Sequence, residues 1–86
     1  MNQLINQEDG TWRLVDDHHR KICEFRIRDN VYITLKHNTY KPLGRVMEIT
    51  YKGGHLITLT IADSYFNRKG VPININDIKA MEIEED

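Results

Sequence analysis

The sequence predicts an all-β domain, a small and strongly bent barrel of the SH3-like or Sm-like kind. Apolar and polar residues alternate with a period of two along several short runs, turn-forming residues separate these runs, and no helical period of useful length occurs. An amino-terminal β-hairpin and one short 3₁₀ turn complete the expected fold. Because 86 residues can build one small core, we expect a flexible segment over residues 1 to 10 and a single barrel domain over residues 11 to 86.

The expected amino-terminal hairpin begins with a short strand from Thr11 to Val15. The polar run Asp-Asp-His-His at residues 16–19 is typical of a turn. The second strand, from Ile22 to Arg28, alternates between an apolar and a charged face, and its apolar residues are Cys23, Phe25 and Ile27. This hairpin is expected either to extend the barrel or to cover it.

The next strand is predicted at Val31 to Leu35, where Val31, Ile33 and Leu35 alternate with polar residues after an Asp-Asn turn signal. A loop is expected from His37 to Leu43, because Pro42 cannot donate to a strand ladder.

A hairpin from Gly44 to Ile61 is expected to anchor the fold, because two β-rich runs flank Gly53 and Gly54. A two-residue loop would place the apolar face of the first run against threonines of the second. A three-residue loop, Lys52 to Gly54 or Gly53 to His55, sets two apolar triplets on one face, so we expect the odd loop with a glycine at positive φ. The triplets are Met47, Ile49 and Tyr51, and Ile57, Leu59 and Ile61.

The last third of the chain is expected to hold a polar break from Asp63 to Gly70, followed by a strand that alternates at Val71, Ile73 and Ile75. One turn of 3₁₀ helix, capped by Asn76 or Asp77, should precede a final strand at Met81 to Ile83. We expect one core that contains Met47, Ile49, Ile57, Leu59, Ile73 and Ile75.

Four segments together resemble the YolD-like proteins of Gram-positive bacteria and their phages. They are Val31-Tyr-Ile-Thr-Leu35, Gly44-Arg-Val-Met-Glu-Ile49, Ile57-Thr-Leu59, and Val71-Pro-Ile-Asn-Ile-Asn-Asp-Ile78 with Met81-Glu-Ile83. The resemblance covers about residues 31 to 83. It implies an Sm-like barrel and an association with Y-family translesion DNA polymerases.

Composition and charge exclude several classes of protein. At 40% hydrophobic and 29% charged residues, the chain is globular rather than disordered. Residues 10 to 81 hold all 12 Lys and Arg against seven acidic residues, so the body is mildly basic and the ends are acidic. With one cysteine, no secretion signal and no membrane-length apolar run, we expect a cytoplasmic protein.

Catalytic and metal chemistry have little support in the sequence. His18 and His19, beside two aspartates, could bind a transition metal, but a solvated hairpin turn explains them better. His37 and His55 are expected in surface loops, and a hydrolytic site at Ser64 lacks any nucleophile motif. Cys23 lies on an apolar strand face, which favours a buried and inert thiol. We therefore expect no catalytic residues, metal ligands or cofactors.

Two aromatic and basic stretches are the candidate binding surface. The first combines an exposed strand face with the following loop, and the second lies in the polar break near residue 65. Small barrels bind nucleic acid by stacking bases on aromatic rings while basic groups contact phosphates. The candidate binding residues are Tyr32, Lys36, Tyr40, Lys41, Arg45, Tyr65, Phe66, Arg68 and Lys69.

The sequence thus predicts a non-enzymatic β-barrel adaptor that binds a protein partner, in a DNA-repair or phage-related process. A nucleic-acid-binding module that uses the two aromatic and basic loops is the first alternative, with DNA or RNA as partner. A small hydrolase or metal-dependent enzyme is the second. An open strand edge would also permit homo-oligomers.

Overall fold

The computed structural model describes residues 1–37, 42–53, 56–63 and 67–85. These residues form eight β-strands in two antiparallel sheets and one turn of 3₁₀ helix, with no α-helix among them, so the all-β prediction is confirmed. The strands are β1 (Gln3–Asn6), β2 (Trp12–Val15), β3 (Lys21–Phe25), β4 (Asn30–Leu35), β5 (Leu43–Lys52), β6 (Leu56–Asp63), β7 (Asn67–Asn74) and β8 (Ile78–Ile83); the 3₁₀ turn η1 (Ile75–Asp77) precedes β8.

The first sheet contains the predicted amino-terminal hairpin and has the order β1-β2-β3. Leu14 pairs with Cys23 and Trp12 with Phe25, so these four residues share the face that turns toward the interior. Leu14, Cys23 and Phe25 are buried there. The sequence predicts that the hairpin either extends the barrel or covers it, and the structure shows that it covers the second sheet. It belongs to a separate sheet, and β3 packs against β8.

Residues 1 to 10, predicted as a flexible segment, contain strand β1, because Gln3–Asn6 pair with β2. The buried Asn2 explains this order. Its side-chain amide donates to the carbonyl oxygens of Ile75 (2.7 Å) and Ile78 (3.0 Å), and its backbone N–H donates to Asn76 Oδ1 (2.8 Å). A polar residue can be buried when its hydrogen bonds to water are replaced in this way.

The second sheet has the order β7-β6-β5-β4-β8. Strands β4 to β7 follow one another as antiparallel neighbours, and the chain then returns through η1 so that β8 pairs with the far side of β4. Among the described residues β7 and β8 do not pair, so the sheet is open and a closed barrel is not confirmed.

The central hairpin has the predicted odd loop. Lys52 pairs with Leu56, Tyr51 with Ile57 and Ile49 with Leu59, which leaves three residues, 53 to 55, between the paired strands. Gly53 has φ +59°, as expected for the glycine of such a loop. Gly54 and His55 lie outside the described residues.

A β-bulge in β5 moves Met47 out of the predicted core. Val46 pairs with Ile61 and Glu48 with Thr60, so Met47 has no partner residue in the ladder. Because the extra residue shifts the alternation, Val46 takes the interior position and Met47 is 47% exposed. Gly44, earlier in β5, is required for close packing, since a Cβ there would lie 2.4 Å from the backbone oxygen of Ala62.

The two sheets enclose one hydrophobic core. Leu59, Ile73 and Ile75 are buried in it as predicted, and Ile49 and Ile57 pack against it while partly exposed. Other buried members come from both sheets: Leu14, Cys23, Phe25, Val31, Ile33, Val46, Ile61, Ile78 and Met81.

Several predicted boundaries differ from the structure: β3 ends at Phe25 rather than Arg28, and β8 begins at Ile78 rather than Met81. The 3₁₀ turn begins at Ile75, and its cap is Asn74, whose side chain accepts a hydrogen bond from the backbone N–H of Asn76 (2.9 Å). The break expected from Asp63 to Gly70 is shorter, because Asp63 ends β6, Asn67 begins β7 and the two pair. The local polar pattern could not distinguish strand ends that pair with each other from a loop.

Candidate functional site

The solvent-facing side of the second sheet, called the outer face below, brings together residues from β8, β4 and β5. Tyr32 lies in β4, between the other two strands, and pairs with Glu82 of β8 on one side and with Leu43 of β5 on the other. Residues directly opposite each other on antiparallel strands share a face. The neighbours Val31 and Ile33 are fully buried, so Tyr32 and its row point away from the core.

A second row on the outer face carries charge at both ends. Asn30 pairs with Arg45 of β5, and Arg45 pairs with Ala62 of β6. On the other side of Asn30, its backbone oxygen accepts a hydrogen bond from Glu84 N–H (2.8 Å), which extends the β8 ladder by one residue. Arg45 and Glu84 are both exposed. The row therefore carries an acidic residue on the β8 side of β4 and a basic residue on the β5 side.

Among the described residues of the outer face, three large hydrophobic side chains are exposed. Tyr32 is 46% exposed, Leu43 is 36% exposed, and Met47, at the bulge beyond Arg45, is 47% exposed. Tyr32 and Leu43 are direct neighbours, and Arg45 separates Leu43 from Met47 along β5. The patch formed by Tyr32, Leu43, Arg45 and Met47 can offer aromatic, aliphatic and guanidinium contacts to a partner.

Lys36 does not belong to this patch, although the sequence placed it on the same surface. It lines an open cleft of about 190 Å³ beside the β2–β3 turn, together with Asp17, His18 and Lys79. The pKa of Asp17 lies below its ordinary value mainly because the Met1 amino group donates to it, and the Lys36 charge adds to this effect. Lys36 is thus directed toward a carboxylate-rich turn rather than toward Tyr32.

The other predicted binding residues divide into two groups. Tyr40, Lys41, Tyr65 and Phe66 lie outside the described residues. Arg68 and Lys69 lie within strand β7 and not in the loop where the sequence placed them.

Sequence reasoning missed Leu43, Met47, Glu82 and Glu84 as members of the outer face. The loop predicted from His37 to Leu43 ends earlier in the structure, because Leu43 begins β5. Simple alternation predicts Met47 in the core, but a bulge interrupts the alternation without a recognisable signal in these residues. Glu82 could have been found from its position between Met81 and Ile83 in the predicted last strand, since alternation places it opposite Met81.

The histidine pair occupies a solvated hairpin turn, as predicted. Asp16 Oδ1 accepts hydrogen bonds from the backbone N–H groups of His18 (2.8 Å) and Arg20 (3.0 Å), and the bond from Arg20 is the main reason why the Asp16 pKa is lowered. Both His18 and His19 are exposed. Within the described ranges, no three His, Cys, Asp or Glu side chains are grouped as metal ligands would be.

Cys23 is buried, as predicted. Burial raises the pKa of its thiol from 9.0 to about 11, with a smaller effect from the Asp29 carboxylate. The thiol therefore stays protonated at neutral pH, which fits the expected inert role, since thiolate is the reactive form. His37 is exposed beyond the end of β4, as expected of a surface residue. Ser64 lies outside the described residues.

Comparison with known proteins gives no relative: no family model matches the chain, and no curated protein or solved structure matches it significantly. The resemblance to YolD-like proteins therefore stays a prediction. Across the described ranges, no helix has the length and apolar character needed to cross a membrane.

Proposed function

We propose that this chain is a non-enzymatic β-domain adaptor that binds a protein partner through the outer face, with Tyr32, Leu43, Arg45 and Met47 as its contact residues. The observation that supports this most directly is the exposure of Tyr32, Leu43 and Met47 on one sheet face around Arg45. Tyr and Arg dominate binding energy at protein interfaces, and Met is also enriched there.

The charge distribution favours a protein over nucleic acid. A nucleic-acid surface needs cations that outnumber anions around its aromatic rings. On the outer face, Arg45 is accompanied by Glu82, which pairs with Tyr32, and by Glu84 and Glu48. These carboxylates would repel phosphates, whereas mixed charge at the rim is ordinary for a protein interface.

The finer architecture is also part of the proposal. A bent barrel of the SH3-like or Sm-like kind is supported by the four-strand meander, the 3₁₀ turn and the return of β8 to β4. Such a barrel, with the resemblance to YolD-like proteins, supports a role beside the DNA-repair machinery of a bacterium or phage and a place in the cytoplasm.

The direct test is capture of partners from a lysate of the native host on immobilised protein. We expect Tyr32→Ala to remove a partner that the wild type captures, since loss of an aromatic anchor costs about 2 kcal/mol or more. Tyr51→Ala is the matched control, because Tyr51 is an exposed tyrosine near the tip of the central hairpin, away from Tyr32. An equal loss of partner capture with both variants, or no loss with either variant, would contradict the proposed surface.

A second measurement distinguishes the protein-binding proposal from the nucleic-acid alternative. The wild type is titrated with a short labelled single strand at low and at physiological salt. We expect no binding at micromolar protein. Binding that weakens steeply with added salt and with the Arg45→Ala substitution would instead establish nucleic-acid binding as the function.

A further inference from the structure

We infer that the protein partner of the outer face is a second copy of this chain, bound face to face about a twofold axis that runs along β4. This inference rests on the proposed function, because it assigns a partner to the same surface.

Where β8, β4 and β5 lie side by side, the outer face is divided lengthwise by charge. In these two rows the β8 side carries the exposed acids Glu82 and Glu84, the β5 side carries Arg45, and the β4 strip between them holds the uncharged Asn30 and Tyr32. Glu48 lies farther along β5, beyond these rows. Since neighbouring strands are about 4.8 Å apart, the backbones at Glu84 and Arg45 are about 10 Å apart. Among the described residues, the ion pairs are Met1–Asp17 and Arg13–Glu24, so none joins the two sides of this face.

This pattern is complementary to itself. A twofold rotation about β4 exchanges its two sides, so Arg45 of one copy faces Glu84 of the other, and the contact occurs twice. Tyr32 then lies on the axis against Tyr32 of the second copy, and Leu43 lies beside Glu82 of the second copy. An interface of this isologous kind requires a patch that is complementary to itself, and the two symmetric Arg45–Glu84 contacts meet this requirement.

A strand edge is the less suitable route to self-association. β7 forms one edge of the second sheet and contains Pro72, which has no N–H to donate to an added strand. We therefore expect two copies to meet through the outer face rather than through the β7 edge.

The test is sedimentation equilibrium of the full chain over a concentration series. We expect the apparent mass to rise from 10.2 kDa toward twice that value, and the association to weaken with added salt. Arg45→Glu and Glu84→Arg should each weaken self-association by about tenfold or more, because each puts like charges together at two symmetric contacts. An unchanged unfolding midpoint establishes that each variant folds.

The decisive step is a charge exchange. Arg45→Glu mixed with Glu84→Arg should associate as a heterodimer, because both contacts are again between opposite charges. The chain that carries both substitutions should form its own dimer for the same reason. Lys52→Glu is the matched control: it reverses a charge on the same strand roughly 23 Å from Arg45, and its self-association should equal that of the wild type.

Three outcomes would overturn the inference: a wild type that stays monomeric near millimolar concentration, a mixture that fails to associate, or equal losses with Lys52→Glu and Arg45→Glu. The proposed function fails separately. A monomeric wild type that still captures a host protein through Tyr32 contradicts only the twofold dimer, whereas Tyr32→Ala without effect on either assay contradicts both.

Discussion

The solvent-facing sides of the two sheets are built differently. On the three-stranded sheet, Arg13 and Glu24 are cross-strand partners and form an ion pair, with Nε to Oε1 at 2.8 Å, and Ile5 is an isolated apolar neighbour. On the five-stranded sheet, Tyr32, Leu43 and Met47 are exposed around Arg45. Isolated exposed apolar residues are ordinary, whereas a cluster indicates an interaction site. The first face is thus an ordinary solvated surface, and the second carries the cluster on which the proposed partner site rests.

The inner sides of the same sheets do not differ in this way. Phe25 of the first sheet and Leu59 of the second are fully buried in one cluster. The contrast is therefore confined to the outer surfaces.

The largest effect is expected in the shared core. Phe25→Ala should destabilise the fold by about 3–5 kcal/mol and Leu59→Ala by about 2–5 kcal/mol, because each leaves a cavity in the packed interior. Urea unfolding followed by Trp12 fluorescence reports on the first sheet, and far-UV circular dichroism reports on both. The two signals should shift together. Separate transitions would show that the two sheets unfold as independent units and do not share one core.

A smaller loss is expected at the joint between the sheets. Asn2→Ala removes the two side-chain hydrogen bonds to the Ile75 and Ile78 carbonyls, which should cost about 1–3 kcal/mol, since two buried hydrogen bonds are lost. Asn2→Asp keeps the shape but cannot donate, so it should not restore stability in urea unfolding. A wild-type midpoint for Asn2→Asp would rule out these hydrogen bonds as the cause.

The ion pair on the first outer face should contribute little. A double-mutant cycle of Arg13→Ala and Glu24→Ala should give a coupling of about 0.2–1 kcal/mol at low salt, because both side chains are partly exposed and screened by solvent. Molar salt should reduce it further. A coupling well above that range would mean that this face is more ordered and less solvated than the structure shows.

The smallest effect is expected on the second outer face. Met47→Thr should change the free energy of unfolding by no more than about 0.5 kcal/mol, because the side chain is exposed at a bulge. Val46→Ala, one residue earlier and fully buried, is the contrasting variant and should be clearly destabilising. If thermal or urea unfolding ranked the two variants in the opposite order, Met47 rather than Val46 would be the buried residue at the bulge.

Much of the fold follows from local patterns. Alternation at Val31 and Ile33 indicated a half-buried strand, and both residues are buried. The apolar triplets around Gly53 required an odd loop, and the pairing of Lys52 with Leu56 agrees. These features depend on residues close in sequence, which is why the sequence alone was sufficient.

The candidate site was harder to predict, because a surface is assembled from several strands. Tyr32 and Arg45 were identified from their chemistry, but Lys36 lies beside Asp17 instead. Glu82 and Glu84 join the surface only through the return of β8 to β4, about fifty residues later in the chain. Their carboxylates change the electrostatic character of the face from basic to mixed.

By itself, the amino-acid sequence determined the all-β class, the alternating faces of the main strands and the burial of Cys23 and Phe25, since each follows from a period of two read over a few residues. Only the tertiary structure decided that β1 is a strand, that Met47 leaves the core and that the five-stranded sheet stays open. The physical reason is that hydrogen bonds such as those from Asn2 to Ile75 and Ile78 join residues more than 70 positions apart, and no local pattern encodes such a partner.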